Sequence, residues 1–453
     1  MTRGPAVSRG IYGLLAAQAI SQTGSRMTML ALPWFVLVTT HSVGMTGVVA
    51  FAEMAPYVLA CALGGPLLDR VGVRRASILC DAGSFVAFAA IPMLGQSAAL
   101  IAVVALAGVL RGLGDTGKRV LFPRTVKAAG MDLTRGAALG DGVHRLATLL
   151  GAPLGGVLIA ALDAQSVILI DAATFAAGAV LVAVLVPGTG PSAGGQPQAH
   201  EPYLSALKAG VTFLRRERLA AALLLFFFAT NLFDAAYGSV LIPAWAQQLG
   251  SSVVLGMVSG SFALGAVLGN IAFTALAPRL PRYAVFVAGF LVGGAPRYIA
   301  VALTDQLWII YAISFAAGLG IAAINPISSA IFYERVPEQM MARVQGIGTA
   351  LGWAGIPLGA LLGGLSAQGM GVSPALVLFG VLYLIVTVQP LIWPAWKQID
   401  VRPAPPRVEP SPRRDPTGQS TLPGGAVDAD QLPGGAHPGA AAQFGDAPVG
   451  RAQ

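Results

Sequence analysis

Charged residues are scarce in this sequence: Asp, Glu, Lys and Arg make up only 11% of its 453 residues, whereas they make up roughly 25% of a typical soluble domain. Hydrophobic residues account for 55%, and the mean hydropathy is +0.72. Such a chain cannot hide its apolar side chains in one water-soluble core, because a folded domain must also cover its surface with polar groups. The composition therefore predicts that lipid surrounds most of the chain, and it argues against a soluble enzyme or a nucleic-acid-binding protein.

Cysteine and histidine are also rare. Cys61 and Cys80 lie in or beside apolar runs, where a cysteine acts as a small packing residue. The four histidines are scattered, with no two at the spacing of metal ligands, and the sequence contains no nucleophile elbow. We therefore expect no enzymatic activity, no metal site and no cofactor.

The apolar residues form twelve segments long enough to cross a bilayer, which takes about 20 residues in a helix. These segments lie at 11–38, 43–67, 76–95, 98–120, 138–162, 165–186, 219–245, 252–277, 283–304, 307–331, 345–368 and 373–396. The connections between these segments alternate between the two sides of the membrane. On one side, the connections contain neither Lys nor Arg; they lie near 39–42, 96–97, 163–164, 246–251, 305–306 and 369–372. The Lys and Arg of the connections all lie on the other side. Positively charged connections face the cytoplasm, so both termini are predicted to be cytoplasmic.

The second half of the chain repeats the first. Gly-Ala-Pro-Leu-Gly-Gly at 151–156 corresponds to Gly-Ile-Pro-Leu-Gly-Ala at 355–360. Two parallel repeats of six helices are typical of one large class of transporters. The sequence thus predicts an all-α membrane protein with five parts: a cytoplasmic N-terminus at 1–10, a six-helix bundle at 11–186, a cytoplasmic linker with an interfacial helix at 187–218, a second six-helix bundle at 219–396 and a disordered cytoplasmic tail at 397–453.

The glycines at 112–117, Gly-Leu-Gly-Asp-Thr-Gly, also match a dinucleotide-binding fingerprint, and Lys118 nearly completes a phosphate loop. Both motifs require a strand before the glycines and a helix after them. Here the glycines end a predicted membrane helix, and Arg119 occupies the position of the metal-binding Ser or Thr. We interpret them as glycines that allow close helix packing, and we expect no nucleotide partner.

The connection after the second span, Gly-Pro-Leu-Leu-Asp-Arg-Val-Gly-Val-Arg-Arg at 65–75, resembles the loop signature of the major facilitator superfamily, Gly-x-Leu-Ala-Asp-Arg-x-Gly-Arg-Arg/Lys. Together with the twelve spans and the repeat, the resemblance covers residues 11–396. It implies a conformational latch that holds the two halves together while the cytoplasmic side is closed, formed by Gly65, Asp69, Arg70, Gly72 and Arg74. Asp69 would face the positive N-terminal end of span 11.

Other segments resemble exporters of this superfamily. The segment at 151–156 is similar to the exporter motif Gly-Pro-x-x-Gly-Gly. Asn-Leu-Phe-Asp at 231–234 resembles sequences of the branch that contains macrolide and siderophore exporters. The resemblance implies that spans 1, 4, 7 and 10 line a central cavity. The candidate cavity-lining residues are therefore Arg26, Arg111, Asn231, Tyr237 and Asn325.

Ionised residues inside a membrane cost roughly 2.5–3.5 kcal/mol at mid-span, so each one that is kept there needs a reason. A proton antiporter needs a group that binds and releases a proton, and no histidine lies in the middle of a predicted span. The candidates for proton coupling are therefore Asp234 and Glu53. The structural alternative is internal ion pairing, for example of Arg26 with Glu53, and Asp81 and Asp171 near helix ends are interpreted as structural.

These observations predict a secondary active transporter in the bacterial plasma membrane. The resemblance implies that it exports a drug-like or antibiotic-like organic compound across the inner membrane, and the expected mechanism is proton antiport with alternating access. Its partners would be a small-molecule substrate, protons and the lipid bilayer, with no nucleic acid, and it would be monomeric. The same scaffold could instead serve a siderophore exporter or a small-molecule importer, and a non-transporting membrane sensor is a more distant alternative.

Overall fold

The computed structural model describes residues 5–95, 98–187, 212–215, 217–336 and 338–401. Within these ranges every regular element is helical and no β-strand occurs, which confirms the predicted all-α class. The α-helices are α1 Pro5–Thr40, α2 Val43–Leu63, α3 Gly65–Val71, α4 Val73–Leu94, α5 Ala98–Ala128, α6 Leu133–Ala161, α7 Ala164–Leu185, α8 Arg218–Ala236, α9 Ile242–Gln248, α10 Ser252–Leu276, α11 Arg282–Gly293, α12 Ala295–Leu303, α13 Leu307–Ile321, α14 Ile324–Arg335, α15 Glu338–Met370 and α16 Val372–Ile392.

In the described part of the chain, eleven helical segments are long and apolar enough to cross a membrane, and they match predicted spans 2 to 12. The first predicted span lies in α1, which is not among the eleven although its 36 residues extend about 54 Å at 1.5 Å per residue. The polar residues Gln18, Gln22 and Arg26 lower its average hydropathy. These three residues line a cavity, so α1 is polar where it faces the interior of the bundle.

The sequence repeat is visible as equivalent helix contacts in the two halves. In the first half α6 packs on α1, where Gly155 lies against Met27. In the second half α15 packs on α8, where Gly359 lies against the backbone of Leu232. Glycine permits these contacts because no side chain separates the two backbones.

The same two glycine-containing helices also join the halves to each other. Helix α6 crosses α10, and a methyl group added to Gly156 would lie 2.6 Å from the Cα of Gly256. Helix α15 crosses α2, and a methyl group added to Gly364 would lie 2.7 Å from the Cα of Gly47. These two crossings between the halves are equivalent under the repeat, because α6 and α10 occupy the positions of α15 and α2 in the opposite half.

Both crossings lie near the connections that contain no Lys or Arg, and we refer to this side of the molecule as the non-basic end. The hydroxyl of Ser42 and the N–H of Gly44 donate to Oε1 of Gln368 at 3.2 and 3.0 Å. The hydroxyl of Ser252 donates to the carbonyl oxygen of Gly156 at 3.1 Å. Polar contacts between the halves therefore reinforce the glycine crossings at this end.

The opposite side, where the Lys and Arg of the connections gather, is the basic end. Arg335 pairs with Glu217 at 3.0 Å and donates to the carbonyl oxygen of Gln398 at 2.7 Å. The chain continues past α16 in a 3₁₀ turn, Pro394–Ile399, in which Trp396 is buried against aromatic rings of the second half. The tail was predicted to begin at 397, but residues up to Val401 form part of this end.

The remaining predicted boundaries stay predictions. Residues 402–453 of the tail and most of the linker lie outside the described residues. Of the predicted interfacial helix at 203–218, residues 212–215 are helical, and Leu214 is buried in a cluster with Val336 and Val344.

Two aspartates that lie just outside the membrane-spanning segments cap the helices α6 and α7. The carboxylate of Asp132 accepts hydrogen bonds from the N–H groups of Arg135 and Thr134 at 3.3 and 2.8 Å, and that of Asp163 accepts one from Ser166 at 2.6 Å. These bonds favour the ionised carboxylates and hold the pKa of both groups below the usual range. Each cap satisfies N–H groups that the first turn of a helix leaves without partners.

Candidate functional site

A central cavity of about 500 Å³ is bordered by helices of both halves. Most of its lining is apolar, including Met29, Met54, Val258, Phe262 and Ile356. Its charged lining residues are Arg26, Glu53, Asp234 and Arg297. An apolar cavity of this size with a few convergent charged groups is the usual form of a small-molecule site.

One ion pair at this cavity joins Asp234 of α8 to Arg297 of α12. The guanidinium carbon of Arg297 lies 4.8 Å from the ring centre of Tyr237 and 5.5 Å from that of Phe262, so cation–π contacts hold it against the cavity wall. The Asp234 side chain is 35% exposed and that of Arg297 only 8%. The carboxylate is therefore the member of the pair that a proton or a ligand can reach.

A second ion pair joins Glu53 of α2 to Arg111 of α5, with 2.5 Å between oxygen and nitrogen. Each side chain is 9% exposed. The suggested pairing of Glu53 with Arg26 is therefore wrong. Helix α5 lies close to α2 because Gly108 and Gly112 pack against the α2 backbone, and this approach brings Arg111 to Glu53.

Helix α8 is interrupted beside the central cavity by a π-helical turn, Tyr237–Leu241, before the chain continues into α9. Pro243 in the first turn of α9 has no N–H, so it cannot bond to the carbonyl group of Ser239 four residues earlier. Tyr237, Gly238 and Ser239 of the π turn all line the cavity. Single π turns inside α-helices are frequent at functional sites.

A second cavity of about 600 Å³ lies toward the basic end, and we refer to it as the basic cavity. It shares Arg26, Met29, Met54 and Ile356 with the central cavity. Its other lining residues are mainly polar or charged: Gln18, Ser21, Gln22, Ser25, Tyr57, Arg111, Asp115, Lys118, Arg119 and His144, with Val58 and Trp353 as apolar members.

Four of the five predicted cavity residues line these spaces. Arg26 lines both cavities, Asn231 and Tyr237 line the central one, and Arg111 lines the basic one. The amide of Asn231 also donates to the carbonyl oxygen of Gly352 at 3.1 Å. Asn325 is exposed and belongs to the lining of neither cavity.

The predicted latch residues lie at the basic end, on and beside α3. Arg74 donates to the carbonyl oxygens of Val186 and Ala183 at 2.7 and 2.5 Å, so its positive charge caps the C-terminal end of α7. Gly65 and Arg70 are exposed, and Gly72 ends α3 with φ 87°. The side chain of Asp69 lies outside what the structure describes, and the latch stays a prediction.

A third buried ion pair, between Lys118 of α5 and Asp81 of α4 at 2.8 Å, was not predicted. The fourth span was predicted to end at 120, which places Lys118 at its cytoplasmic end, whereas α5 continues to Ala128. The orientation of Lys118 could have been predicted from helical spacing, because residues seven apart lie on one face of a helix. Lys118 therefore shares the face of Arg111.

Comparison with known proteins agrees with this arrangement. The family model of the Major Facilitator Superfamily matches residues 14–239 and 230–432. The multidrug efflux pump Tap of Mycobacterium tuberculosis is 26% identical over 411 residues, which cover 88% of this chain and 96% of that protein. Macrolide efflux protein A of Streptococcus pyogenes is 21% identical over 388 residues, which cover 83% of this chain and 94% of that protein.

Among solved structures, the nucleoside transporter NupG matches with a TM-score of 0.69. The match covers 84% of this chain and 98% of that chain at 13% sequence identity, so the likeness concerns the fold alone. The fold agrees with the architecture that the repeat predicted. Since the family model matches most of its length, the chain belongs to the Major Facilitator Superfamily.

Proposed function

We propose that this chain is a secondary active transporter that exports drug-like organic compounds across the bacterial inner membrane by proton antiport. It acts as a monomer without enzymatic activity and opens its central cavity alternately to the two sides of the membrane. Two efflux pumps matched over most of their length support this function. The charge asymmetry of the connections supports a cytoplasmic basic end.

The observation that carries the proposal is the Asp234–Arg297 ion pair at the wall of the apolar cavity. While Asp234 is ionised, it neutralises Arg297. A proton bound from the outside removes that compensation and leaves a buried positive charge, which is unfavourable in a membrane interior. Release of the proton to the cytoplasm restores the pair, so proton entry can drive one conformational cycle.

The Glu53–Arg111 pair offers the same chemistry in the first half. Glu53 lines the central cavity, whereas Arg111 lines the basic cavity. Proton binding at Glu53 therefore weakens a link between α2 and α5 at the boundary of the two spaces. Either carboxylate satisfies the requirement for a group that alternates between ionised and protonated states.

Inside-out membrane vesicles test this proposal. A compound to which the gene confers resistance in an efflux-deficient host is supplied outside the vesicles, and an interior-acid pH gradient drives its accumulation. We expect Asp234→Asn and Glu53→Gln to abolish accumulation at matched membrane levels and to leave equilibrium binding of the compound in place. Asp141→Asn is the matched control, since Asp141 forms an exposed pair with Arg145 on α6.

Two results would contradict the proposal. If both neutral variants still accumulate the compound under the imposed gradient, these carboxylates are structural and protons bind elsewhere. If the gene instead makes the efflux-deficient host more sensitive to such compounds because it brings them into cells, the chain is an importer.

A further inference from the structure

The basic cavity carries more positive than negative charge on its wall. Its cationic lining residues are Arg26, Arg111, Lys118 and Arg119, and its one acidic lining residue is Asp115. The Asp115 carboxylate accepts a hydrogen bond from the Tyr57 hydroxyl at 3.1 Å. Two carboxylates outside the lining of this cavity each neutralise one of these cations, since Arg111 pairs with Glu53 and Lys118 with Asp81.

Arg26 differs from the other arginines inside the membrane. Arg111 and Arg297 each have a carboxylate partner, but no ion pair within the described ranges includes Arg26. Its Nη1 donates to the sulfur of Met29 at 3.7 Å, and a thioether is a weak acceptor. An arginine at membrane depth is costly unless an anion or hydrogen-bond acceptor compensates it, so this guanidinium is suited to an anion that comes and goes.

The polar groups around Arg26 are arranged along one face of α1. Gln18, Gln22, Ser25 and Arg26 all line the basic cavity, and the spacing of four, seven and eight residues from Gln18 places them on the same side of the helix. Amide, hydroxyl and guanidinium groups can all donate hydrogen bonds to one acceptor group. The α1 face thus presents several donors around one positive charge.

Apolar surface lies directly beside this polar face. The rings of Tyr57 and Trp353 are stacked, with centres 6.4 Å apart and planes inclined by 13°, and both line the basic cavity. Met29, Met54 and Ile356 line both cavities, as Arg26 does. A ligand with its charge at Arg26 can therefore extend its apolar body into the central cavity.

We propose that the transported compounds are amphipathic organic anions whose negatively charged group binds Arg26 at the junction of the two cavities. This inference rests on the proposed function and adds to it the class of substrate. The anionic group accepts hydrogen bonds from Arg26 and from the neighbouring donors of α1, and the aromatic or aliphatic body packs against the apolar wall of the central cavity.

A matched pair of probes tests the proposal. 8-Anilinonaphthalene-1-sulfonate is an aromatic anion, and N-phenyl-1-naphthylamine has the same ring system without the sulfonate. Binding of both is measured with the purified full chain in phosphatidylcholine nanodiscs, with empty nanodiscs subtracted, so that no lipid anion competes. We expect the wild-type chain to bind the sulfonate about tenfold or more tightly than the uncharged amine, because a hydrogen bond to a charged group contributes that much to affinity.

Three variants locate the effect. Arg26→Gln removes the preference for the sulfonate and leaves the affinity for the amine unchanged, whereas Arg26→Lys keeps the charge and most of the preference. Arg145→Gln is the control, since Arg145 is an exposed arginine of α6 that lines neither cavity. We expect this variant to bind both probes as the wild-type chain does.

The inference is overturned if the wild-type chain binds both probes equally, a comparison that needs no variant to fold. It is also overturned if Arg26→Gln weakens both probes alike. Binding is measured without a pH gradient, so failure of the export assay does not affect the binding result. Conversely, loss of the sulfonate preference does not contradict proton-driven export of other compounds. The two proposals can therefore fail separately.

Discussion

Replacing Gly156 by alanine places a methyl group 2.6 Å from the Cα of Gly256, where α6 crosses α10. Non-bonded carbons pack at about 3.5–4.0 Å, so the two helices must move apart by roughly 1 Å. Overpacking of this kind costs about 1–3 kcal/mol. The cost applies only to the conformation in which α6 and α10 touch, so the equilibrium shifts roughly 5- to 150-fold toward conformations open at the non-basic end.

Cysteine labelling measures this shift. Ser259 of α10 lines the central cavity, and Ser259→Cys is introduced into a chain whose Cys61 and Cys80 are replaced by alanine. In intact cells we expect a membrane-impermeant maleimide to label this cysteine faster when Gly156→Ala is present, by up to the calculated factor. Export should fall at the same time, because return to the conformation closed at this end becomes less favourable.

Gly142→Ala is the matched control on the same helix. A methyl group at Gly142 meets nothing within 4 Å, and it brings the same gain in helix propensity, about 1 kcal/mol, in both conformations. We expect labelling and export as in the parent chain. Equal labelling rates for Gly156→Ala and Gly142→Ala would refute the idea that the α6–α10 crossing closes the non-basic end.

Three further results follow from charges and segments described above. Asp69→Asn should lower export at matched membrane levels, because the resemblance implies that the charge of Asp69 faces the positive end of span 11. Export at the wild-type rate would show that Asp69 is not part of the latch. Deletion of 404–453 should leave export nearly unchanged, because this composition cannot form a packed core, and lost export at normal membrane levels would mean that the tail has a role. Asp81→Asn should lower the melting temperature of the purified chain, because unpairing the buried Lys118 costs about 3–5 kcal/mol, whereas Asp141→Asn, which unpairs an exposed residue, should change it little.

The spans and the repeat could be predicted because each depends on a local pattern. Continuous apolar runs give the length of a membrane helix, and the glycines at 151–156 and 355–360 mark contacts that lie in equivalent places in the two halves. The helix ends were harder to predict. Helix α5 continues to Ala128, eight residues beyond the predicted end, because the chain stays helical after it becomes polar.

The pairing of the buried charges could not be predicted from one sequence. Helical periodicity shows which residues share a face, but the rotation of one helix against another depends on packing between distant segments. Glu53 and Arg111 are 58 residues apart, and the contact forms because glycines of α5 admit the α2 backbone. Asp234 was predicted as a charge inside the membrane, but its pairing with Arg297 depends on where α8 and α12 lie in the fold.

The π turn at Tyr237–Leu241 has a consequence for how the substrate range of this chain can change. A π turn holds one residue more than the α-helical turn it replaces, and each residue of an α-helix turns the chain by about 100°. Removing one residue from this turn would restore a continuous α-helix and change which residues of the turn face the central cavity, while Asn231 and Asp234 keep their orientation relative to the residues after the turn. In most membrane helices a single deletion displaces an entire packed face, whereas here the surplus residue can absorb it. This turn is therefore a position where a change in chain length, without any substitution, can alter the lining of the central cavity.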